Sequence, residues 1–503
     1  MRRSLALAAL LVLVAARPAA AVSLIQTITV GSHPFGVAIS GGLVYVANNG
    51  GSTVSVIDTA TNAVSATIAV GSGPGEIAID PAAGRAYVGN FNNGTVSVVD
   101  TTAGSTIATL SPGGLGVAVD PGLGRLYATN SAQVTVFDTA SLQQVAKISA
   151  PSGTGWWGIA VDPVRHLGYL GDLGGHGVTV VDLATNAVVT TIDVGGPVRF
   201  AIATDPARGR VFAATDTAPG RLSVIDASTN TVARAVTVGS YPSHIAPASA
   251  STVYVSDLGS NDLATVDPGT GATTFLATGA NPAGLAVAGA TIYVALHGAS
   301  AVAVLGDSAP VVDGVSVSPA QPNTNDLLVA TVTAHDVDGD ALTYSYQWTR
   351  NGADLAGATA ATLDLSVAGN GDRGDSIAVR VTASDGSTIS APLTSAAVVV
   401  ADSAPVASVA LNTTGPTTRT VLVATATASD ADGDALTFTY VWTVNDVVRR
   451  TTVTSATSDS FDLGQPHDGN KGDVVTVDLT VSDGTLDATA TASATIAAGR
   501  PVP

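Results

Sequence analysis

Two runs of alternating aspartates hold the densest set of candidate metal ligands in the sequence. Each run reads Asp-x-Asp-Gly-Asp, and the six acids are Asp336, Asp338, Asp340, Asp430, Asp432 and Asp434. Alternate residues of an extended segment point the same way, so three carboxylates can converge on one hard cation, with Asp385 and Asp483 closing the two sites. The pattern predicts weak extracellular calcium binding; the alternative is an Asp-Gly hairpin whose acids are solvated.

A single glutamate and a few histidines are the candidates for acid–base chemistry. Glu76 is the only glutamate in the chain, and with His244 it could supply an acid and a base. The histidines lie far apart, without the local spacing of a metal site. The sequence contains no nucleophile elbow, phosphate loop or dinucleotide fingerprint in a strand–helix context. These observations favour binding over catalysis.

Internal repeats indicate how these residues are positioned. A Tyr-Val-Ala-Asn type block recurs at intervals of 39 to 43 residues, beginning at Tyr45, Tyr87, Tyr127, Tyr169, Phe212, Tyr254 and Tyr293. Valine, threonine, glycine and aspartate are abundant, and each copy contains four short apolar strands separated by turn residues. This is the size of one propeller blade, so the chain is predicted to be all-β with seven blades.

The two ends of the repeat region predict how the propeller closes. The last copy ends its third strand at residues 301–305 and lacks a fourth, whereas residues 24–30 form an orphan strand. A propeller must cover its terminal edges, because open strand edges template aggregation. Pairing of these two segments is therefore expected. Most of the repeated aspartates, such as Asp58 and Asp80, stand at turns and are expected to be structural.

The Tyr-Val-Ala-Asn block, the Asp-Thr-Ala-Thr-Asn turn at residues 58–62 and the Gly-Ser-x-Pro-x-Gly segment resemble the YVTN family of repeat propellers. The resemblance covers residues 22–306. It implies a secreted or surface-layer protein without one shared reaction, and related seven-bladed propellers include lyases and lactone hydrolases.

Positions at which the repeats differ predict the functional site. Strand alternation places the loops that enter each first strand and leave each second strand on one face, which we call the mouth. The residues predicted to bind a ligand there are Phe35, Glu76, Trp156, Trp157, Arg199, His244 and His297. Convergent aromatic and charged groups of this kind are typical of a binding site. The alternative is structural: the two tryptophans fill the channel and Glu76 pairs with Arg199.

The repeat length changes after Gly306. Asp307-Ser308-Ala309-Pro310-Val311 returns 95 residues later at Asp402, and the aspartate runs, Trp348 and Trp442 repeat with a similar spacing. The pattern predicts two sandwich domains, 307–401 and 402–497, each with a core tryptophan. They resemble bacterial Ig-like, PKD and cadherin-like repeats, and this resemblance implies adhesion or spacing.

Composition and the chain ends bound the remaining possibilities. A basic start, an apolar run and Ala19-Ala20-Ala21 predict a signal peptide at 1–21, and residues 498–503 form a short tail. The chain has no cysteine, hence no disulfides or thiolate chemistry, and its net charge of −19 argues against nucleic-acid binding. No run is long enough to predict a membrane span. A secreted, periplasmic or cell-surface protein is expected.

Two functions are consistent with these patterns. The favoured one is a binding or adhesion scaffold, in which the propeller recognises an extracellular ligand, glycan or protein, and the sandwich domains form a stalk. The alternative is a secreted lyase or lactone-type hydrolase that uses His244 and Glu76 for acid–base chemistry.

Overall fold

The computed structural model describes residues 22–175, 177–466 and 468–497. The predicted signal peptide, the predicted tail and His176 lie outside these residues. The described chain is all-β and divides into two compact units after Ser308. Its described helix is a single 3-10 turn at Pro206–Arg208, and no described helix is long and apolar enough to cross a membrane.

The strands of the first unit form seven four-stranded antiparallel sheets within the described residues. Strand β1 (Ser23–Thr29) precedes the first of these sheets in the chain. The first sheet consists of β2 (Pro34–Ser40), β3 (Leu43–Asn48), β4 (Thr53–Asp58) and β5 (Ala63–Ala69), and the second of β6 (Pro74–Asp80), β7 (Arg85–Asn90), β8 (Thr95–Asp100) and β9 (Ser105–Leu110). The third consists of β10 (Val117–Asp120), β11 (Arg125–Thr129), β12 (Gln133–Asp138) and β13 (Gln144–Ser149). The fourth sheet consists of β14 (Trp156–Asp162), β15 (Leu167–Asp172), β16 (Gly177–Asp182) and β17 (Ala187–Asp193), and the fifth of β18 (Ile202–Asp205), β19 (Arg210–Ala214), β20 (Arg221–Asp226) and β21 (Thr231–Thr237). The sixth consists of β22 (Pro242–Pro247), β23 (Val253–Asp257), β24 (Asp262–Val266) and β25 (Thr273–Ala277). The last contains β26 (Pro282–Ala288), β27 (Thr291–Leu296) and β28 (Ala301–Gly306).

The first strands of these sheets lie side by side in a closed ring. In order they are β2, β6, β10, β14, β18, β22 and β26, and β26 returns to contact β2. In six of the sheets the remaining strands follow in chain order toward the outside, and in the last sheet β27 and β28 are followed by β1. This arrangement is a β-propeller, and we call each sheet a blade.

The last blade joins the two ends of the unit. Its order is β1-β28-β27-β26, with β1 antiparallel to β28 from Ser23 opposite Gly306 to Thr29 opposite Ala301. Ile28 is buried there, in contact with the core that includes Val302 and Val304. The pairing predicted from the orphan strand is confirmed. Because β1 covers β28, that strand has no open edge.

Repeated side chains hold the blades together and shape their turns. The block tyrosines pack between neighbouring blades; Tyr87, for example, contacts Val117 and Leu126 of the next one. Asp58 Oδ1 accepts backbone N–H groups of Ala60 and Thr61 at 2.8 and 3.2 Å. Such bonds fix the turn after the third strand. The prediction that these aspartates are structural is confirmed for this one, and the same bonds recur at Asp100, Asp138, Asp182 and Asp226.

The second unit contains two pairs of antiparallel sheets. The strands of the first pair are β29 (Val311–Ser318), β30 (Leu327–His335), β31 (Thr343–Arg350), β32 (Ala353–Asp354), β33 (Thr362–Asp364), β34 (Ser376–Ser384), β35 (Leu393–Thr394) and β36 (Val398–Val399). Those of the second are β37 (Val406–Leu411), β38 (Val421–Ser429), β39 (Thr437–Val444), β40 (Val447–Thr454), β41 (Ser458–Asp462), β42 (Val474–Ser482) and β43 (Asp487–Thr495). The sheets β29-β30-β33 and β37-β38-β41 each accompany a larger sheet built from the other strands of the pair.

Each pair of sheets encloses a core built around one tryptophan. Trp348 packs with Leu328 of the smaller sheet and Val379 of its own sheet. Trp442 packs equivalently in the second pair, with Leu422 and Phe461. Both indoles are fully buried, and each donates its N–H, to Ala360 O and to Asp459 Oδ2 respectively. The prediction that both tryptophans lie in a core is confirmed.

The closure predicts the effect of removing β1. Deletion of residues 23–29 leaves β28 with an open edge and uncovers the apolar groups behind Ile28, so we expect aggregation or a large fall in melting temperature. As a milder test, Ile28→Ala should cost about 2–5 kcal/mol, whereas Ile25→Ala, at a half-exposed position, should cost far less. Thermal and denaturant melts measure both effects. A deletion variant that melts like the parent would contradict the closure.

The burial of Asp257 should make the stability of the protein depend on pH in an unusual direction. It is fully buried, and burial raises its pKa to about 8; the neighbouring carboxylate of Asp262 adds to the rise, while the N–H of Gly239 opposes it. Between about pH 4 and pH 8 the unfolded chain loses this proton and the folded chain keeps it. Stability therefore falls as the pH rises through that range.

Replacing Asp257 with asparagine should remove this dependence. At the equivalent position of the first blade, Asn48 Nδ2 donates to Thr53 Oγ1 and Ser55 Oγ at 2.9 and 3.0 Å. We expect Asp257→Asn to raise the melting temperature by about 2–5 °C at pH 7.5, and the gain to vanish near pH 4. Melts of both proteins across this range measure it, and a gain independent of pH would refute the explanation.

Candidate functional site

Irregular starts of the first strands position the side chains of the mouth. The pairing of first and second strands shifts register between Pro34 and Val37, between Pro74 and Ile77, between Trp156 and Ile159, and between Pro242 and His244. Bulges of this kind turn side chains away from strict alternation. Phe35, Glu76, Trp157 and His244 lie within these irregular segments.

Aromatic side chains from several blades meet at this end of the ring. Phe200 is central: its ring centroid lies 5.3 Å from that of Phe35, 5.7 Å from Trp157 and 6.3 Å from His244. Phe35 also approaches His244 at 5.2 Å, and Phe91 approaches Trp157 at 6.2 Å. The structure thus brings together side chains that are separated by more than 200 residues in sequence.

Two cavities open among these rings. The larger one, about 260 Å³, is lined by Phe35, Phe200, Arg199, Asp216, Tyr241 and Ser243 among others. The smaller one, about 150 Å³, is lined chiefly by Phe35, Phe91, Trp157, Phe200, Asn49 and His297. Phe35 and Phe200 line both cavities. A binding site of this kind combines apolar walls with a few oriented polar groups.

Glu76 and His244 form a hydrogen-bonded pair across the ring. His244 Nε2 lies 2.8 Å from Glu76 Oε1, and both side chains are largely buried. The other ring nitrogen, Nδ1, lies 2.9 Å from Ser243 Oγ. Ser243 and His244 are adjacent in sequence, so regular alternation would separate them; the bulge after Pro242 lets them meet. The arrangement can hold or transfer a proton.

Arg199 pairs with a residue that the sequence analysis did not identify. Its Nε lies 3.1 Å from Asp216 Oδ2, and its guanidinium carbon lies 5.2 Å from the centroid of the Trp157 ring. The alternative prediction of an ion pair between Glu76 and Arg199 is wrong, since each has a different partner. Nothing in the local sequence around Asp216 marks it, because the blade fold alone brings it to Arg199.

Trp156 requires a correction to the predicted site. Its exposed fraction is 0%, and it packs in the core between two blades with Tyr127 and Leu170. Its Nε1 donates to Thr179 Oγ1 at 3.2 Å. Trp156 therefore neither faces the mouth nor fills the channel. Trp157, the next residue of this irregular segment, lines the smaller cavity instead.

His297 belongs to the mouth together with His33. Their ring centroids lie 4.9 Å apart, and His297 also meets Phe35 at 6.3 Å. Burial, and secondarily the proximity of His33, lower the pKa of His297 below its ordinary value. His297 is therefore neutral at pH 7.

The aspartate runs form corners rather than hairpins. Strands β30 and β31 lie in different sheets, as do β38 and β39, so the hairpin alternative is wrong. Asp336 Oδ1 accepts the backbone N–H of Asp338 at 2.8 Å, and Asp430 Oδ1 accepts that of Asp432 at the same distance. The first acid of each run thus shapes the turn that connects two sheets.

Two acids of the second run form a cluster with a third acid from outside the run. Asp432 and Asp434 lie with Asp402, their oxygens within 4.8 Å of one another, and this is the one set of three candidate ligands among the described residues. Arg373 pairs with both Asp402 and Asp434, and Thr324 Oγ1 donates to Asp432. A guanidinium therefore already offsets some of this charge. The sequence analysis did not identify Asp402 and Arg373 as part of this cluster, because they lie 28 and 57 residues before Asp430.

Comparison of the sequence with known proteins gives one short match. No family model matches the chain. A PE-PGRS family protein of Mycobacterium tuberculosis, PE_PGRS18, is 49% identical over 51 residues, which is 10% of this chain and 11% of that protein. The chain thus matches about a tenth of that relative's length.

Solved structures resemble the chain over somewhat more than half of it. The β-propeller domain of Cps50 (Swd1) from Myceliophteria thermophila aligns with a TM-score of 0.50 at 12% identity, covering 57% of this chain and all of that domain. Hydrazine synthase of Kuenenia stuttgartiensis aligns with a TM-score of 0.48 at 18% identity, over 55% of this chain and 96% of that one. At 12% identity, the similarity to the Cps50 (Swd1) domain shows a β-propeller fold and nothing about activity.

Replacing each of the two neighbouring tryptophans should change stability by a different amount. Trp156→Ala removes a fully buried indole and should cost about 3–5 kcal/mol of unfolding free energy. Trp157→Ala removes a partly exposed one and should cost about 1 kcal/mol. Denaturant melts of the two variants compare them directly. Equal losses would mean that Trp157 supports the fold rather than the cavity.

Calcium binding at the aspartate runs stays a prediction. If the second run takes calcium, millimolar calcium should raise the melting temperature of the full chain and EDTA should lower it. Arg373→Gln removes the competing positive charge, so it should enlarge the calcium effect. Calorimetric scans of both proteins measure this. Identical scans with calcium and with EDTA for both would exclude the site.

Proposed function

We propose that this protein is a secreted or cell-surface binding scaffold: a seven-bladed propeller of the YVTN type that recognises a ligand at its mouth, carried on two Ig-like domains. The proposed ligand-binding residues are Phe35, Trp157, Arg199 and His297, which line the cavities, without Trp156. They also include the Glu76–His244 pair, whose imidazole adjoins the rings of Phe35 and Phe200. Secretion rests on the sequence pattern of residues 1–21.

The convergence of aromatic side chains on two adjoining cavities carries this proposal. Aromatic rings are large and apolar, and burying them completely stabilises the fold, as with Trp156. Phe91 and Tyr241 instead remain half exposed at the mouth. Partly exposed rings beside a cavity, with a few oriented polar groups, are the features expected of a surface that binds a ligand.

The second unit suits the role of a stalk. Its two sheet pairs bury their tryptophans, and its acids shape corners or pair with Arg373, so these groups serve the fold. Repeated sandwich domains provide reach without chemistry. The ligand is accordingly assigned to the first unit.

A screen that uses intrinsic fluorescence tests the proposal. Trp156, Trp348 and Trp442 are fully buried, so Trp157 should account for the emission that acrylamide quenches. We expect a bound ligand to protect Trp157 from acrylamide, and Trp157→Phe, as the control, to abolish that signal. The screen covers oligosaccharides, peptides and organic cations. If none of these classes protects Trp157, binding at the mouth is refuted.

A lactone-type hydrolase is the second candidate, and one observation favours it. Ser243, His244 and Glu76 form a continuous hydrogen-bonded chain, and Ser243 lines the larger cavity. In such a chain the imidazole can accept a proton from a hydroxyl while the carboxylate stabilises its charge. Hydrolysis of aryl esters and lactones by the full chain tests this candidate. Activity that is lost in both Ser243→Ala and His244→Gln would support it, and no activity would exclude it.

A further inference from the structure

Three phenylalanines and a tryptophan line the smaller cavity of the mouth: Phe35, Phe91, Phe200 and Trp157. Phe35 and Phe200 meet at 77°, Trp157 and Phe200 at 70°, and Phe91 and Trp157 at 36°. The rings thus present both faces and edges to their neighbours. The face of each ring carries the negative part of its quadrupole, so a cation placed over such a face is attracted to it.

Few groups in this cavity can form hydrogen bonds with a ligand. Its polar side chains include Asn49 and His297, and Asn49 Nδ2 already donates to Pro74 O at 3.1 Å. A sugar would lose more hydrogen bonds to water there than these few groups can replace. An anion would find no lysine or arginine among the described lining residues. The cavity therefore suits a group that neither needs hydrogen bonds nor carries negative charge.

The charges around the cavity favour a cation over a neutral group. Arg199 is neutralised by Asp216, and Glu76 has the histidine His244 as its ion-pair partner. His297, on the cavity wall, is neutral at pH 7. The whole chain carries a net charge of −19, which adds an attractive long-range field.

Trp157 already interacts with one cation of the chain. The guanidinium of Arg199 lies over its ring at 5.2 Å. Arg199 lines the larger cavity, whereas Trp157 lines the smaller one. The indole can thus contribute to the smaller cavity while Arg199 occupies the neighbouring space.

We propose that this aromatic cavity binds a quaternary ammonium group, such as the trimethylammonium head of a choline-like ligand. The inference rests on the proposed binding function and adds the ligand class. A quaternary nitrogen has no N–H to satisfy, and its charge spreads over methyl groups that contact ring faces. A cavity of about 150 Å³ also accommodates a group about as large as benzene.

Choline and its neutral isostere 3,3-dimethylbutan-1-ol provide the test. The two have the same shape, but carbon replaces the charged nitrogen in the alcohol. Titration calorimetry and the fluorescence of Trp157 measure binding of each to the full chain at pH 7.5. We expect choline to bind at least tenfold more tightly than the alcohol.

Variants distinguish the aromatic and the electrostatic contributions. Trp157→Leu keeps an apolar wall but removes an aromatic ring. It should therefore weaken the binding of choline at least tenfold and the binding of the alcohol far less. Glu76→Gln removes one negative charge and should weaken choline severalfold without affecting the alcohol. Phe275→Leu is the matched control, since Phe275 is an exposed aromatic residue on the outer strand β25 and should change neither affinity.

The outcomes distinguish failure of the quaternary-ammonium inference from failure of the proposed binding function. Equal binding of choline and the alcohol would overturn the cation inference and leave an apolar binding site. Binding of saccharides or peptides at Trp157, without choline, would also overturn it while sustaining the proposed function. No binding of any ligand class would refute both. If Trp157→Leu does not fold, the comparison of choline with the alcohol on the unmodified chain still decides.

Discussion

The structure of the first unit depends on closing the ring of first strands. Each blade buries one face against the blade before it and the other against the blade after it, and a gap would expose two apolar faces together. The pairing of β1 with β28 prevents this by joining residues near the start of the described chain to residues near 300. Closure also fixes the distances across the mouth, so Glu76 and His244, from blades far apart in sequence, reach one hydrogen bond.

The repeats made most of this architecture predictable from sequence. A block that recurs every 39 to 43 residues contains four strand-like segments, and the incomplete last copy identifies its missing strand. The turn aspartates were predictable as well, because an aspartate that bonds backbone N–H groups two and three residues later needs only local sequence. Trp348 and Trp442 could be assigned to cores from their equivalent positions in two long repeats.

The mouth was predictable as a region but not in its pairings. Departures from the repeat identified Phe35, Trp157, His244 and His297, which the structure brings together. The sequence could not separate Trp156 from Trp157, because one register shift decides which indole faces the cavity. It also could not assign Asp216 to Arg199, since such a pair depends on the closed geometry of the blades.

The partners of the aspartate runs likewise could not be predicted from the sequence. Their spacing predicts that three carboxylates converge, yet the first acid of each run bonds backbone N–H groups, and the converging set recruits Asp402. Whether clustered acids need a metal depends on every positive charge within a few ångströms, including those distant in sequence. Arg373 is such a charge, and it pairs with two acids of the set. Any cation binding there must compete with, or displace, a guanidinium that the fold itself supplies.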